Sequence, residues 1–260
     1  MNGITAQFRA DYASHRAAEG RAYTGESLRS LPYLQSGPFV NQWAVRARTF
    51  DAFVRRVLAP MAGHRDILDL GAGNAWLCHR LAKMGHRCVA LDVRDDRVDG
   101  LGVAHEFLSA EPGLFRCVTA AFEDIPLSDE SFDIAVFNAS LHYAQDLNRA
   151  LKEACRVTRR GGVVAILDSP FYRHASDGEA MVAEKKAHGA ATFGARAGVL
   201  LTQNFIEYLT RERLQEASPP LAWMRLRVRY PLWYELRPLE AWLRRKRTPS
   251  RFDLWIAFKP

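Results

Sequence analysis

Ile67-Leu68-Asp69-Leu70-Gly71-Ala72-Gly73-Asn74-Ala75-Trp76-Leu77 is an apolar run, a glycine turn and the start of a helix pattern; Arg87-Cys88-Val89-Ala90-Leu91-Asp92 follows as a second apolar run ending on a carboxylate. The pattern predicts a buried strand, a helix from near Asn74 and a second strand. Gly71 and Gly73 permit a turn that other residues resist and let the backbone come close to a ligand. The unpaired amides at the helix start favour anionic groups. Asp92 lies about 20 residues past the turn, the separation at which an acidic side chain reaches ribose hydroxyls. A nucleoside-bearing ligand is the expected occupant. Dinucleotide-binding chains place a third glycine where Trp76 stands, and the indole argues against NAD.

Beyond this segment, apolar runs near 66–71, 87–92, 114–120, 132–138 and 162–168 alternate with helix patterns near 75–84, 95–109 and 146–159. Such alternation predicts an α/β fold with a mainly parallel sheet covered on both faces. Gly85 is suited to stop the helix from Ala75, and Arg159-Arg160-Gly161 reads as two cations meeting a helix C-terminus before a glycine stop.

Four segments in order resemble the class I S-adenosylmethionine-dependent methyltransferases, in their small-molecule, UbiE-like (type 11) branch. The glycine turn is similar to motif I; Phe132-Asp133-Ile134-Ala135-Val136-Phe137-Asn138 to the fourth strand; Leu151 to Ile166 to the helix, glycine turn and fifth strand; Ala121-Phe122-Glu123-Asp124-Ile125-Pro126-Leu127 to the adenine loop. The likeness covers roughly residues 60 to 170. It implies a Rossmann-like seven-stranded, mainly parallel sheet in the order 3-2-1-4-5-7-6 with the last strand antiparallel, and S-adenosyl-L-methionine as cofactor. Carried over position by position, Gly71, Ala72, Gly73 and Asn74 would hold the methionine part with Asp69 near its ammonium. Asp92 would bind the ribose, Val93 and Phe122 would flank the adenine with Glu123 beside it, and Asn138 and Ala139 would face the methyl group. Ala121 stands where an aspartate is often found, and Arg160 where a proline is usual. His142 and Tyr143 follow on the loop that opens onto the acceptor; His142 is the candidate base, with positioning or packing as its alternatives, and Tyr143 a candidate lining residue. His15, His174 and His188 are weaker candidates.

The flanks lie outside this likeness. Residues 1–60 read as a helical cap: a helix-compatible stretch from Thr5 to Gly20, then a helix opened by Ser36-Gly37-Pro38 with Phe39, Trp43, Ala47, Phe50, Val54, Val57 and Leu58 on one stripe and an Asp51/Arg55 pair on its outer face. Residues 61–260 would form the core of a single domain. Within it, 169–200 has weak periodicity and is expected to be a lid or substrate segment, followed by a helix near Thr202 to Glu216. Trp223 to Tyr230 alternates arginine with apolar residues, as an edge strand would, and 252–258 supplies the closing strand.

The 260 residues carry a net charge of +7 and are 48% hydrophobic, enough for a full core. The excess charge is local: Leu221 to Pro260 holds ten Lys/Arg against three Asp/Glu, leaving 26 of each sign before it. Cys78, Cys88, Cys117 and Cys155 lack C-x-x-C pairing and read as buried reduced thiols, so no metal site is implied. No run reaches the roughly 18 apolar residues of a membrane span, and a cytoplasmic protein is expected.

The leading functional expectation is methyl transfer to oxygen, carbon or nitrogen of a small organic acceptor, with Tyr12, Tyr33, Trp43 and Tyr143 available to line an apolar pocket. An RNA methyltransferase is the alternative that the basic tail suggests through Arg244-Arg245-Lys246-Arg247. Against it, Asn138-Ala139-Ser140-Leu141 is not the Asn/Asp-Pro-Pro-aromatic run of amino-adenine methyltransferases, so nucleic acid is not the expected partner. A third reading places Trp233, Tyr234, Leu236, Leu239, Trp242 and Leu243, with the basic cluster behind them, on a membrane surface where a quinone or lipid-like acceptor would be collected. A protein that only binds the cofactor is the non-enzymatic reading.

Overall fold

Each central strand alternates between two apolar layers, and this places one sheet at the middle of the molecule. The computed structural model describes residues 6–193 and 204–260. Its strands are β1 (Asp66–Leu70), β2 (Arg87–Asp92), β3 (Arg116–Thr119), β4 (Phe132–Asn138), β5 (Thr158–Leu167), β6 (Met224–Leu226) and β7 (Leu254–Phe258). They form a seven-stranded sheet in the order β3-β2-β1-β4-β5-β7-β6. The first five are parallel, and β7 runs antiparallel to both β5 and β6. Ile67, Ala90, Ile134, Val136, Ala165 and Ile256 face one layer; Leu68, Leu91, Ala135, Phe137, Ile166 and Ala257 face the other. Period-two burial on both faces is what a parallel sheet covered by helices requires.

The first layer is built from α3 (Val40–Phe53), which runs on as a π-helical turn to Leu58, and α4 (Trp76–Lys83). Trp76 meets Trp43 and Phe50 edge-on, with ring centroids 5.7 Å away in each case. The indole thus occupies the helix–cap interface, and truncating a buried ring of this kind costs roughly 3–5 kcal/mol. Ahead of α3 come α1 (Ala6–Ala18) and α2 (Gly25–Ser30). The second layer is built on α6 (Leu147–Val157), reached after the short α5 (His105–Leu108), with Asp146 accepting from the Arg149 amide as its N-cap. Gly85 stops α4 at φ +90°, as its position implied.

Several local expectations need correction. The 95–109 segment is helical only from Leu101, because Asp96 accepts from the amides of Val98, Asp99 and Gly100 and holds a turn ahead of it. The helix near 146–159 ends at Val157. Arg159 and Arg160 lie in β5, where Arg159 pairs with Asp66 and Asp133 instead of meeting a helix terminus. Ser169–Val199, of which 194–199 lie outside the described residues, contains a long helix, α7 (Ala175–Phe193). Its alanines, glutamates and lysines carry helix propensity without an apolar stripe, so periodicity missed it. The helix expected from Thr202, itself outside the described residues, begins only at Arg211 as α8 (Arg211–Ala217), capped by Thr210. The arginine strand pairs only over β6. Beyond Leu226 the chain leaves the sheet, with Arg56 donating to the Arg227 carbonyl and Tyr230 to that of Phe252. Arg55 donates to the backbone carbonyl of Asp51, whose carboxylate accepts from Tyr33. Cys117 is exposed and Cys155 half-buried, while Cys78 and Cys88 are buried; all four are free.

Candidate active site

The turn after β1 is tied to the end of β2. The amides of Gly71 and Ala72 both donate to the Leu91 carbonyl, and the Gly73 amide donates to one Asp92 oxygen at 2.8 Å. The other Asp92 oxygen accepts from the Arg94 amide at 2.8 Å. The carboxylate is therefore fixed and nearly buried, with lone pairs left over on both oxygens. Burial raises its pKa, against the pull of Arg94 and of the two backbone amides. Gly71 has φ +76°, and a Cβ there would lie 2.5 Å from that of Ser140, so the glycine lets the loop after β4 close beneath the turn. Asn74 accepts from the Trp76 amide, and α4 starts after Ala75, which is itself left-handed at φ 61°.

A cavity of about 600 Å³ opens over this turn. Gly71, Ala72, Gly73, Asn74, Asp92, Val93, Phe122, Glu123, Asn138, Ala139, His142 and Tyr143 all line it, so residues separated by 70 positions in the chain meet at one end of the sheet. Asp69 does not line it. It is fully buried behind the turn beside Cys78, and burial together with the Asp92 charge pushes its pKa well up. Phe122 presents its ring to the cavity, held edge-on by Phe137. Glu123 accepts from the Gln145 amide, which ties the adenine-loop segment to the loop after β4.

His142 is a weak proton acceptor here: burial, then the charges of Lys185 and Arg46, push its pKa down to about 3. Its Nδ1 is buried without a partner, as is Asn138 Oδ1. Tyr143 meets Tyr12 of α1 edge-on, with the two hydroxyls 3.3 Å apart. His174 is exposed and away from the cavity, and the side chains of His15 and His188 lie outside the described ones.

Other residues entered the site without a sequence expectation. Arg16 of α1 pairs with Asp99 at 2.7 Å, and the Arg94 guanidinium sits 4.6 Å from the Tyr12 ring centroid; both draw the N-terminal helix across the cavity. Arg46 reaches in from α3, Lys185 from α7 paired with Glu207, and Arg247 from the tail bonded to Glu184 and Tyr172. Asp168 follows β5 directly. Two signals could have found the last kind: Asp168 sits at the carboxyl end of a parallel strand, where open α/β sheets bind ligands, and Arg46 interrupts the apolar stripe between Trp43 and Phe50.

The basic tail is partly spent on internal pairs. Arg244 pairs with Glu240 and Arg247 with Glu184, leaving Arg245 and Lys246 without an ion pair among the described residues. This disfavours the tail as a phosphate-tracking surface. Among the described residues no helix is long and apolar enough to cross a membrane.

A family model described as a methyltransferase domain matches residues 68–166. A malonyl (acyl-carrier protein) O-methyltransferase of Buchnera aphidicola is 35% identical over 98 residues, 38% of this chain and 37% of that one. A demethylmenaquinone methyltransferase of Clavibacter sepedonicus is 32% identical over 113 residues, 44% of each chain. The matches thus span about two fifths of the length of these curated relatives. In shape, the chain is similar to geranyl diphosphate C-methyltransferase from Streptomyces coelicolor, with a TM-score of 0.63 at 13% identity over 99% of this chain and 100% of that one. Sequence match, strand order and the turn with its ribose-spaced carboxylate agree: residues 68–166 of this chain match a methyltransferase domain, within a sheet that has the strand order expected of the class I S-adenosylmethionine-dependent fold.

Proposed function

We propose that the protein transfers the methyl group of S-adenosylmethionine to oxygen, carbon or nitrogen of a small organic acceptor in the cytoplasm. The observation that carries this reading is the single cavity that joins the Gly71–Asp92 end to a chamber walled by α1, α3 and α7. Relatives named for malonyl-carrier, demethylmenaquinone and ubiquinone-precursor methylation support an organic acid or quinone-like acceptor.

Bound there, the cofactor would supply a sulfonium methyl group open to in-line displacement. The chain's task is to hold donor and acceptor in near-attack geometry and to keep water out. Gly71 to Asn74 would hold the methionine part, with Asp69 supporting the turn from behind. Asp92 would accept from both ribose hydroxyls, Val93 and Phe122 would sandwich the adenine, and Glu123 would border it. Asn138 and Ala139 would stand nearest the methyl, with Asn138 Oδ1 free to accept. The cap, residues 1–60, and the segment 169–200 would cover the acceptor, and Tyr143 would line its side. Incubation with methyl-tritiated S-adenosylmethionine and fractionated metabolites tests this. Label in a small-molecule fraction supports it; label only in RNA or in no fraction contradicts it.

A second reading has its own observation. Leu232, Trp233, Leu236, Leu239, Trp242 and Leu243 form an exposed apolar ridge on α9 (Leu232–Glu235) and α10 (Arg237–Leu243), with Trp242 73% and Leu243 68% exposed. Arg244, Arg245 and Lys246 follow directly, and Arg247 lines the cavity. An apolar ridge backed by cations matches the surface of an anionic bilayer, and the chain that runs on from it to Arg247 at the cavity wall would bring a lipid-like acceptor towards the site. Co-sedimentation with phosphatidylglycerol vesicles, lost at high salt and in Trp242→Asp, supports this; equal binding to phosphatidylcholine vesicles, or none, contradicts it.

A further inference from the structure

The end of the cavity opposite Asp92 collects polar atoms that no protein group satisfies. Asp168 is 5% exposed, and neither carboxylate oxygen makes a hydrogen bond of good geometry; the Thr49 hydroxyl faces it but is engaged with the Val45 carbonyl and the Tyr230 hydroxyl. Its φ of 53° is left-handed, a conformation uncommon outside glycine that aspartate adopts more readily than most residues. Ala139, beside it, has φ 56°. Asn138 and Leu167 are register partners, so β4 and β5 end level, and Ala139 and Asp168 leave the sheet side by side. The Asp168 carboxylate is thereby held at the edge of the position where the methyl group is expected.

Arg46 enters the same space from α3, its guanidinium carbon 4.8 Å from the Trp43 ring centroid. It feels the Asp168 charge through space but forms no ion pair with it. A buried carboxylate and a half-buried guanidinium that share a cavity without closing on each other are complementary to a molecule that bridges them. Leaving such groups unsatisfied is costly, and the cost is recovered when a ligand supplies the missing partners.

The geometry points to an acceptor that carries an acidic O–H or N–H next to a carbonyl or carboxylate oxygen: the oxygen is held by Arg46, and the proton is taken by Asp168. This deepens the methyl-transfer reading and rests on it. In the reaction the heteroatom's hydrogen passes as a proton to the Asp168 carboxylate while its electron pair forms the bond to the methyl carbon. The carbon–sulfur bond breaks with its pair going to sulfur, which discharges the sulfonium. Solvent then takes the proton. Burial lifts the Asp168 carboxyl to about 6, against the Arg46 charge and the Thr49 hydroxyl, which makes it a better proton acceptor than an exposed carboxylate. His142, pushed to about 3, is the poorer choice.

Calorimetric titration of the protein loaded with S-adenosylhomocysteine tests this, with salicylate, benzoate and phenol as probes. Salicylate, which carries both groups, is expected to bind at least tenfold tighter than either of the others. Asp168→Asn should reduce salicylate to the level of benzoate. Arg46→Gln should weaken both carboxylates, and Arg46→Lys should restore part of that binding. Uptake of S-adenosylhomocysteine reports that each variant is folded. A salicylate preference that is absent in the wild type, or that persists in Asp168→Asn, overturns the pairing; so does failure of all three probes with protein that takes up S-adenosylhomocysteine. Failure of the wild type to take up S-adenosylhomocysteine overturns the methyl-transfer reading instead.

Discussion

The two ends of the cavity are built on opposite plans. At the cofactor end the carboxylate and the turn are already bonded: Asp92 accepts from the Gly73 and Arg94 amides, and the Gly71 and Ala72 amides donate to the Leu91 carbonyl, which leaves Asp69 Oδ1, behind the turn, without a partner among the described residues. At the acceptor end Asp168, His142 Nδ1 and Asn138 Oδ1 are buried and unpartnered. A site for a constant ligand can be rigid before the ligand arrives, since its hydrogen bonds also hold the fold. A site for an acceptor retains polar groups whose partners come with the substrate, and the fold is less stable for it. Substitutions at the cofactor end should therefore destabilise, while neutralising the acceptor end should stabilise.

Within the glycine turn the largest effect belongs to Gly71→Ala. Its Cβ would lie 2.5 Å from that of Ser140 at a backbone angle of +76°, so overpacking and strain add. A loss of roughly 3 kcal/mol is expected, read as a lower midpoint in urea. Next is Asp168→Asn, with the opposite sign. Asp168 is faced by Arg46 and Thr49 from α3 and by Tyr230 from the tail. Its folded pKa of about 6 stands above the unfolded carboxyl value of about 3.9. Between these values the native state keeps a proton that the unfolded chain has released, so wild-type stability falls as pH rises from about 4 to 6. The variant should gain about 2 to 3 kcal/mol over wild type at pH 7.5 and nothing below pH 4, checked by thermal melts across pH.

Smaller effects refine the contrast. Arg16→Ala removes the partly buried pair with Asp99 that draws α1 over the cofactor end. It should weaken S-adenosylhomocysteine roughly fivefold, about 1 kcal/mol, with little change in the urea midpoint. Trp242→Ala on the exposed ridge should change stability by less than about 0.5 kcal/mol, whereas Trp76→Ala should cost several times more.

The cofactor end was legible in the sequence because its parts are local: a strand, a turn, a helix start and a carboxylate on the next strand, each with its own spacing rule. Strand order was expected from the family resemblance that four such segments carry, not from their spacing. The acceptor end depends on convergence instead. Arg46, Asp168, Lys185 and Arg247 come from α3, the end of β5, α7 and the tail, and no spacing rule connects them. The helix α7 was missed because its propensity is not accompanied by an apolar stripe, and β6 proved short because its chain turns away to bury Val228 and Tyr230. His142 drew attention as a titratable residue on the right loop; its burial among cations, which makes it a weak base, is a property of the tertiary structure.

The central claim is that a sulfonium nucleoside binds at the Gly71 turn with its ribose on Asp92. Calorimetry of wild type and Asp92→Ala with S-adenosylhomocysteine, alongside NAD, tests it most directly. The account predicts that S-adenosylhomocysteine binds and NAD does not, and that the variant loses on the order of a hundredfold in affinity, as expected for two charge-assisted hydrogen bonds. Retention of NAD, or unchanged S-adenosylhomocysteine affinity in a folded Asp92→Ala protein, would contradict it.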